Sequence, residues 1–100
     1  MPRQMPSEQH KAAEMLAIQG LSFLAAEPER LGRFLALTGI GPGEVRAMAQ
    51  RPEFLAAVLD HLSSDETLLV QFAQESGRNP MDIGRARATL SGPDWEHDTA

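Results

Sequence analysis

Two stretches 38 residues apart carry the same punctuation: FLALTGIGPGEVRAMA at 34–49 and FAQESGRNPMDIGRARA at 72–88. In each, an apolar helix end leads to a small hydroxyl residue (Thr38, Ser76) and a glycine (Gly39, Gly77). Two loop residues, a proline (Pro42, Pro80), an acid (Glu44, Asp82) and a β-branched residue (Val45, Ile83) follow. Glycine supplies the left-handed backbone that ends a helix, and proline pre-sets φ for the first position of the next. The echo therefore predicts two helix–turn–helix hairpins, and a chain punctuated this way is confined to short, tightly linked helices.

The intervening segments agree. After a tail at 1–6, Ser7 is a plausible N-cap for a helix running to about Ala26. Its apolar residues cover more than one face, with Ala13, Leu16, Ala17, Gly20 and Leu24 on one side and Met15, Ile18 and Leu21 beside it. A helix of that kind belongs at the centre of a core, and Gly20 suggests a close helix crossing. Pro28 opens a second helix with Leu31, Phe34, Leu35 and Thr38 as its stripe. Pro52 opens another, with Phe54 or Leu55, Val58, Leu59 and Leu62 inward. Ser63 and Glu66 have the spacing of a capping box ahead of Leu68, Leu69, Phe72 and Ala73. Asn79 caps the last helix, where Ile83, Ala86 or Ala88, and Leu90 face inward until Gly92-Pro93 stops it. In the hairpin before, Val45, Met48 and Ala49 face inward. No segment alternates with the period of a strand. The expectation is an all-α, compact bundle of five to six short helices with an internal pseudo-repeat of two helix-turn-helix-like hairpins. One helical domain spans 7–92, between flexible tails at 1–6 and 93–100.

Charge and composition exclude several function classes. The net charge is −5 and aromatic residues are 5% of the chain, a poor fit to a general nucleic-acid binder or to a base-stacking surface. Residues 52–77 hold five acids and no Lys or Arg, whereas Arg78, Arg85 and Arg87 face only Asp82 in the stretch after them. There is no cysteine, so neither disulfides nor thiol chemistry arise. No run of apolar residues is long enough to span a bilayer, and the polar start of the chain lacks a signal core. The reading is a cytoplasmic protein with no membrane association.

The candidate sites are few. A DNA-binding hairpin wants a small residue four before the turn glycine and apolar residues six and nine after it. Leu35, Val45 and Met48 fill those places in the first copy, and Ala73, Ile83 and Ala86 fill them better in the second. That pattern records helix packing, while base readout needs Arg, Lys, Asn or Gln at the front of the second helix. Glu44 and Asp82 there would face phosphates unfavourably. Both acids suit the positive end of a helix dipole better than a catalytic pair. His10, His61 and His97 lack the i, i+4 spacing of a metal site, and His61 is read as lying on a polar helix face. No catalytic residue, cofactor or metal ligand is assigned. Met48 and Met81 on the hairpins' second helices could adapt to a partner, and Arg30, Arg33, Arg46 and Arg51 could line a face for an acidic one. By elimination the leading class is a small non-enzymatic protein-interaction or regulatory module with a protein partner, monomeric or weakly dimeric. The alternative is a nucleic-acid-binding protein that uses the second hairpin (68–91). Arg78, Arg85, Arg87 and Arg46 are the surface residues either reading would use.

The run AEMLAIQG…LLVQFA, with PERLGRFLALTGI at 28–40, FLAAVLDHL at 54–62 and the closing P-x-x-[IV] helix from Pro80, resembles a small family of uncharacterised bacterial proteins of about this length, mostly alphaproteobacterial. The resemblance covers residues 8–91. It implies an all-helical cytoplasmic protein and carries over no activity and no functional residue.

Overall fold

Prolines set the frame. Pro28, Pro52 and Pro80 each open a helix at a position where the missing N–H is no loss. The computed structural model describes residues 8–91. They form α1 (Glu8–Ala25), α2 (Pro28–Thr38), a 3-10 turn (Pro42–Glu44) running into α3 (Val45–Met48), α4 (Pro52–Ser63), α5 (Glu66–Ser76) and α6 (Pro80–Ser91), with no strand among the described residues. Links of two or three residues force neighbouring helices to pack together, and the result is an all-α bundle. The N-cap expected at Ser7, the stop at Gly92-Pro93 and both tails lie outside the described residues.

The two echoed stretches fold alike through the turn. Thr38 Oγ1 donates back to the carbonyls of Phe34 (3.0 Å) and Leu35 (3.2 Å), and Ser76 Oγ to those of Phe72 (2.7 Å) and Ala73 (3.4 Å). Gly39 and Gly77 take φ of 75° and 69°. Glu44 Oε1 accepts from the Gly41 N–H at 3.1 Å, and Asp82 Oδ2 from the Asn79 N–H at 3.4 Å. Each carboxylate thus satisfies a backbone donor at the start of the second arm. Asn79 Oδ1 also caps, accepting from the Met81 N–H at 2.8 Å.

Beyond the acid the two stretches differ. α6 is 12 residues long and buries Ile83, Ala86 and Leu90; Ala86, not Ala88, is the inward alanine. The first copy yields only a 3-10 turn and one turn of α3, with no fully buried residue; Val45, Met48 and Ala49 pack half-buried against the core. The cause is the next proline. Pro52 holds Arg51 extended (φ −98°, ψ 130°), as the residue before a proline prefers, whereas no proline interrupts α6 before Pro93.

α1 buries Ala13, Leu16, Ala17, Gly20, Phe23 and Leu24 and packs chiefly on α6 and α4, then on α2 and α5. The close crossing expected at Gly20 is present. A Cβ there would lie 2.8 Å from Leu62 Cδ1 and 3.3 Å from Val58 Cγ1, so only a glycine lets α4 approach this far without repacking. α4 buries both Phe54 and Leu55, with Val58, Leu59 and Leu62. Phe34 sits at the centre, edge-on to Phe54 at 5.7 Å, and no polar side chain is fully buried among the described residues.

The Ser63–Glu66 capping box is not formed. Ser63 still belongs to α4, and Asp65 stands immediately before α5 in extended conformation. Its Oδ1 accepts from the Thr67 and Leu68 N–H groups at 3.0 and 3.2 Å. An N-cap must be the residue that leaves helical geometry, and here that residue is Asp65.

Candidate functional site

The surplus of apolar residues on α1 has a structural outcome. One face enters the core; the flank does not. Met15 is 66% and Ile18 47% exposed, one turn apart on the same side of the helix. Beside Ile18 an open groove of about 430 Å³ runs between α1 and α5. Ile18, Gln19 and Ser22 of α1, with Ala26 just after it, form one side, Glu75 and Ser76 of α5 the other, and Phe23 and Phe72 the apolar floor.

The rings of the floor pack on each other and on a cation. The Phe23 and Phe72 rings pack at 5.3 Å, tilted by 52°. The Arg30 guanidinium lies 4.1 Å above the Phe23 ring, in cation–π range, and donates to the Phe23 carbonyl and Gln71 Oε1, each at 3.4 Å. Among the polar groups at the edge, the Ser76 hydroxyl is already committed to the Phe72 carbonyl. The Glu75 carboxylate is the one ionic group in the lining. Chemically the groove offers an apolar floor under a polar rim of Gln19, Ser22 and Ser76, with a single negative charge at Glu75.

The arginines singled out in the sequence are not gathered into one surface. Arg78 and Arg85 line a smaller cleft of about 150 Å³ between α1 and α6, and Asp82 lines it with them. Arg87 instead reaches α4 and pairs with Asp60 at 3.8 Å. Arg46 is exposed on α3. Of the other basic set, Arg30 is folded over Phe23 and lines one cleft with Arg33, while Arg51 pairs with Glu53 at 3.7 Å. Met81 is 64% exposed, and Met48 is half-buried against the core.

His61 departs from its expected place on a polar face. Its ring packs edge-on against Phe34 at 5.2 Å, and its Nε2 is buried without a hydrogen-bond partner. Burial pushes the imidazole pKa down; the Asp65 and Asp60 carboxylates oppose that shift and the Arg33 guanidinium adds to it. The helical period explains the position: His61 lies beside Leu62 and three residues after Val58, on the shoulder of the buried stripe. A cleft of about 170 Å³ over it is lined by Arg33, Asp65 and Leu68 among others. Among the described residues no group of three or more His, Cys, Asp or Glu could hold a metal ion. No described helix is long and apolar enough to cross a membrane.

The groove residues were missed as a site in the sequence because they come from two helices far apart in the chain. Their only trace there is that α1 has more apolar residues than one face can bury. Residues 10–93 match the family described as "Protein of unknown function (DUF3572)", and the chain belongs to that family. No curated protein and no solved structure matches it.

Proposed function

We propose that the chain is a small non-enzymatic protein-interaction module that works in the cytoplasm through the α1–α5 groove. The observation that carries this reading is Ile18. An isoleucine almost half exposed beside a pre-built aromatic floor, with Met15 one turn away, is apolar surface that a partner would remove from water. Each 100 Å² so covered contributes roughly 2.5 kcal/mol before association costs. Arg30 packs on the Phe23 ring and donates to its carbonyl. The acidic, cysteine-free composition suits the cytosol.

The test is affinity capture with the full chain and with Ile18→Asp. The reading expects a defined protein enriched by the native chain and lost with the variant, while the two melt within a few degrees of each other. A chain that captures nothing through this face and turns over a small molecule would overturn it.

A further inference from the structure

Resting on that reading of the groove, we infer that its occupant is a basic amphipathic helix, which inserts apolar side chains between Ile18 and Phe72 and sets a Lys or Arg against Glu75. Two properties of the site select this chemistry. The trough runs along the helix pair α1–α5 and is apolar on its floor, the setting in which an amphipathic helix lays its i, i+3, i+4 and i+7 anchors. The only ionic group facing that trough is a carboxylate. The helix that carries it has the same sign: α5 holds Glu66 and Glu75 and no Lys or Arg, and the whole chain is at −5. A basic helix is steered toward such a surface and an acidic one repelled. Arg30 is engaged with the Phe23 ring and Gln71 and is not among the residues that line the trough. The C-terminal segment of this chain is a poor occupant, since Trp95 there is flanked by Asp94, Glu96 and Asp98, which would bring like charge to Glu75.

The experiment is fluorescence anisotropy on the full chain with two labelled synthetic peptides of about four helical turns. Both carry the same leucine stripe; one has Lys and the other Glu on the polar face. The Lys peptide is expected to bind at least tenfold more tightly than the Glu peptide. Glu75→Gln is expected to weaken the Lys peptide about threefold, a typical rim-charge effect. Glu53→Gln, which removes an acid on α4 remote from the groove, leaves it unchanged, and Ile18→Asp abolishes binding.

Equal affinity for both peptides, with Ile18→Asp still abolishing it, would leave the groove as the contact surface and overturn the basic-helix inference. Binding indifferent to Ile18→Asp, or no binding of either peptide, would overturn both. Equal losses from Glu53→Gln and Glu75→Gln would show general attraction to an acidic chain and overturn the assignment to the rim. Sedimentation equilibrium closes the remaining route. A dimer that Ile18→Asp converts to monomer would give the groove to a second copy of this chain and overturn the inference.

Discussion

α1 borders two clefts of opposite character. Along its first half, Gln9, Ala12 and Leu16 face α6 across a small cleft rimmed by Arg78, Asp82 and Arg85. Along its second half, Ile18, Gln19 and Ser22 face α5 across a trough floored by Phe23 and Phe72. The first is rich in charge, but its charges include both signs, and the third arginine of that hairpin is drawn off to Asp60. The second has one charge, Glu75, and an apolar floor. Charge density in the sequence marks the first, yet unpaired apolar surface is what an associating partner can exploit. The difference is one of supply: the charged cleft is satisfied in part by the protein itself, and the apolar trough is not.

The largest effect that sharpens this contrast lies behind the charged cleft. Ile83 is fully buried on α6, so Ile83→Ala is expected to cost about 2–5 kcal/mol in urea unfolding. Val45→Ala, at the equivalent place in the first hairpin and only half-buried, is expected to cost about 1 kcal/mol. Equal costs would break the claim that only the second arm is built into the core. At the groove, Ile18→Asp is expected to reduce partner capture at least tenfold while costing about 1 kcal/mol or less in stability. Arg85→Glu, in the charged cleft, leaves capture within about twofold. A loss at Arg85 matching that at Ile18 would reverse the roles of the two clefts.

A pH effect separates the aromatic centres. Phe34 packs on His61, whereas Phe72 packs on Phe23, so only the first is titratable. The folded-state pKa of His61 lies below its ordinary value because of burial. The unfolded chain therefore takes up the proton first, and stability is lost as pH falls below about 6.5 toward the lower folded value. His61→Gln is expected to flatten the change in melting temperature between about pH 7 and 5.5; an unchanged slope would contradict the buried, neutral imidazole. The smallest effects belong to the two capping carboxylates. Glu44→Gln and Asp82→Asn are each expected to cost about 0.5 kcal/mol, measured by thermal melts.

The helices were legible in the sequence wherever a proline or glycine marks a boundary. Pro28, Pro52, Pro80, Gly39 and Gly77 all stand where their backbone preferences put them, and the α1 face with Ala13, Leu16, Ala17, Gly20 and Leu24 is the buried one. Failures came where two local signals competed. Ser63 and Asp65 both have N-cap chemistry, and helix continuation through Ser63 decided between them. His61 and the groove illustrate a different limit. A histidine on the shoulder of an apolar stripe is polar by type and half-buried by geometry. A trough shared by α1 and α5 depends on a tertiary contact, Phe23 on Phe72, between residues in separate helices. The family match extends the likeness across all the helices without assigning a role to any residue.

The most direct test of the division between the two clefts is a ¹⁵N-HSQC titration of the full chain at about 50 mM salt, where phosphate contacts are strongest. The Lys-bearing peptide and a short DNA duplex are added to separate samples. The account predicts that the peptide shifts residues 18–26 and 72–76 and that the duplex leaves residues 78–88 unmoved. Salt-sensitive shifts at 78–88 with the duplex, and none in the groove with the peptide, would contradict it.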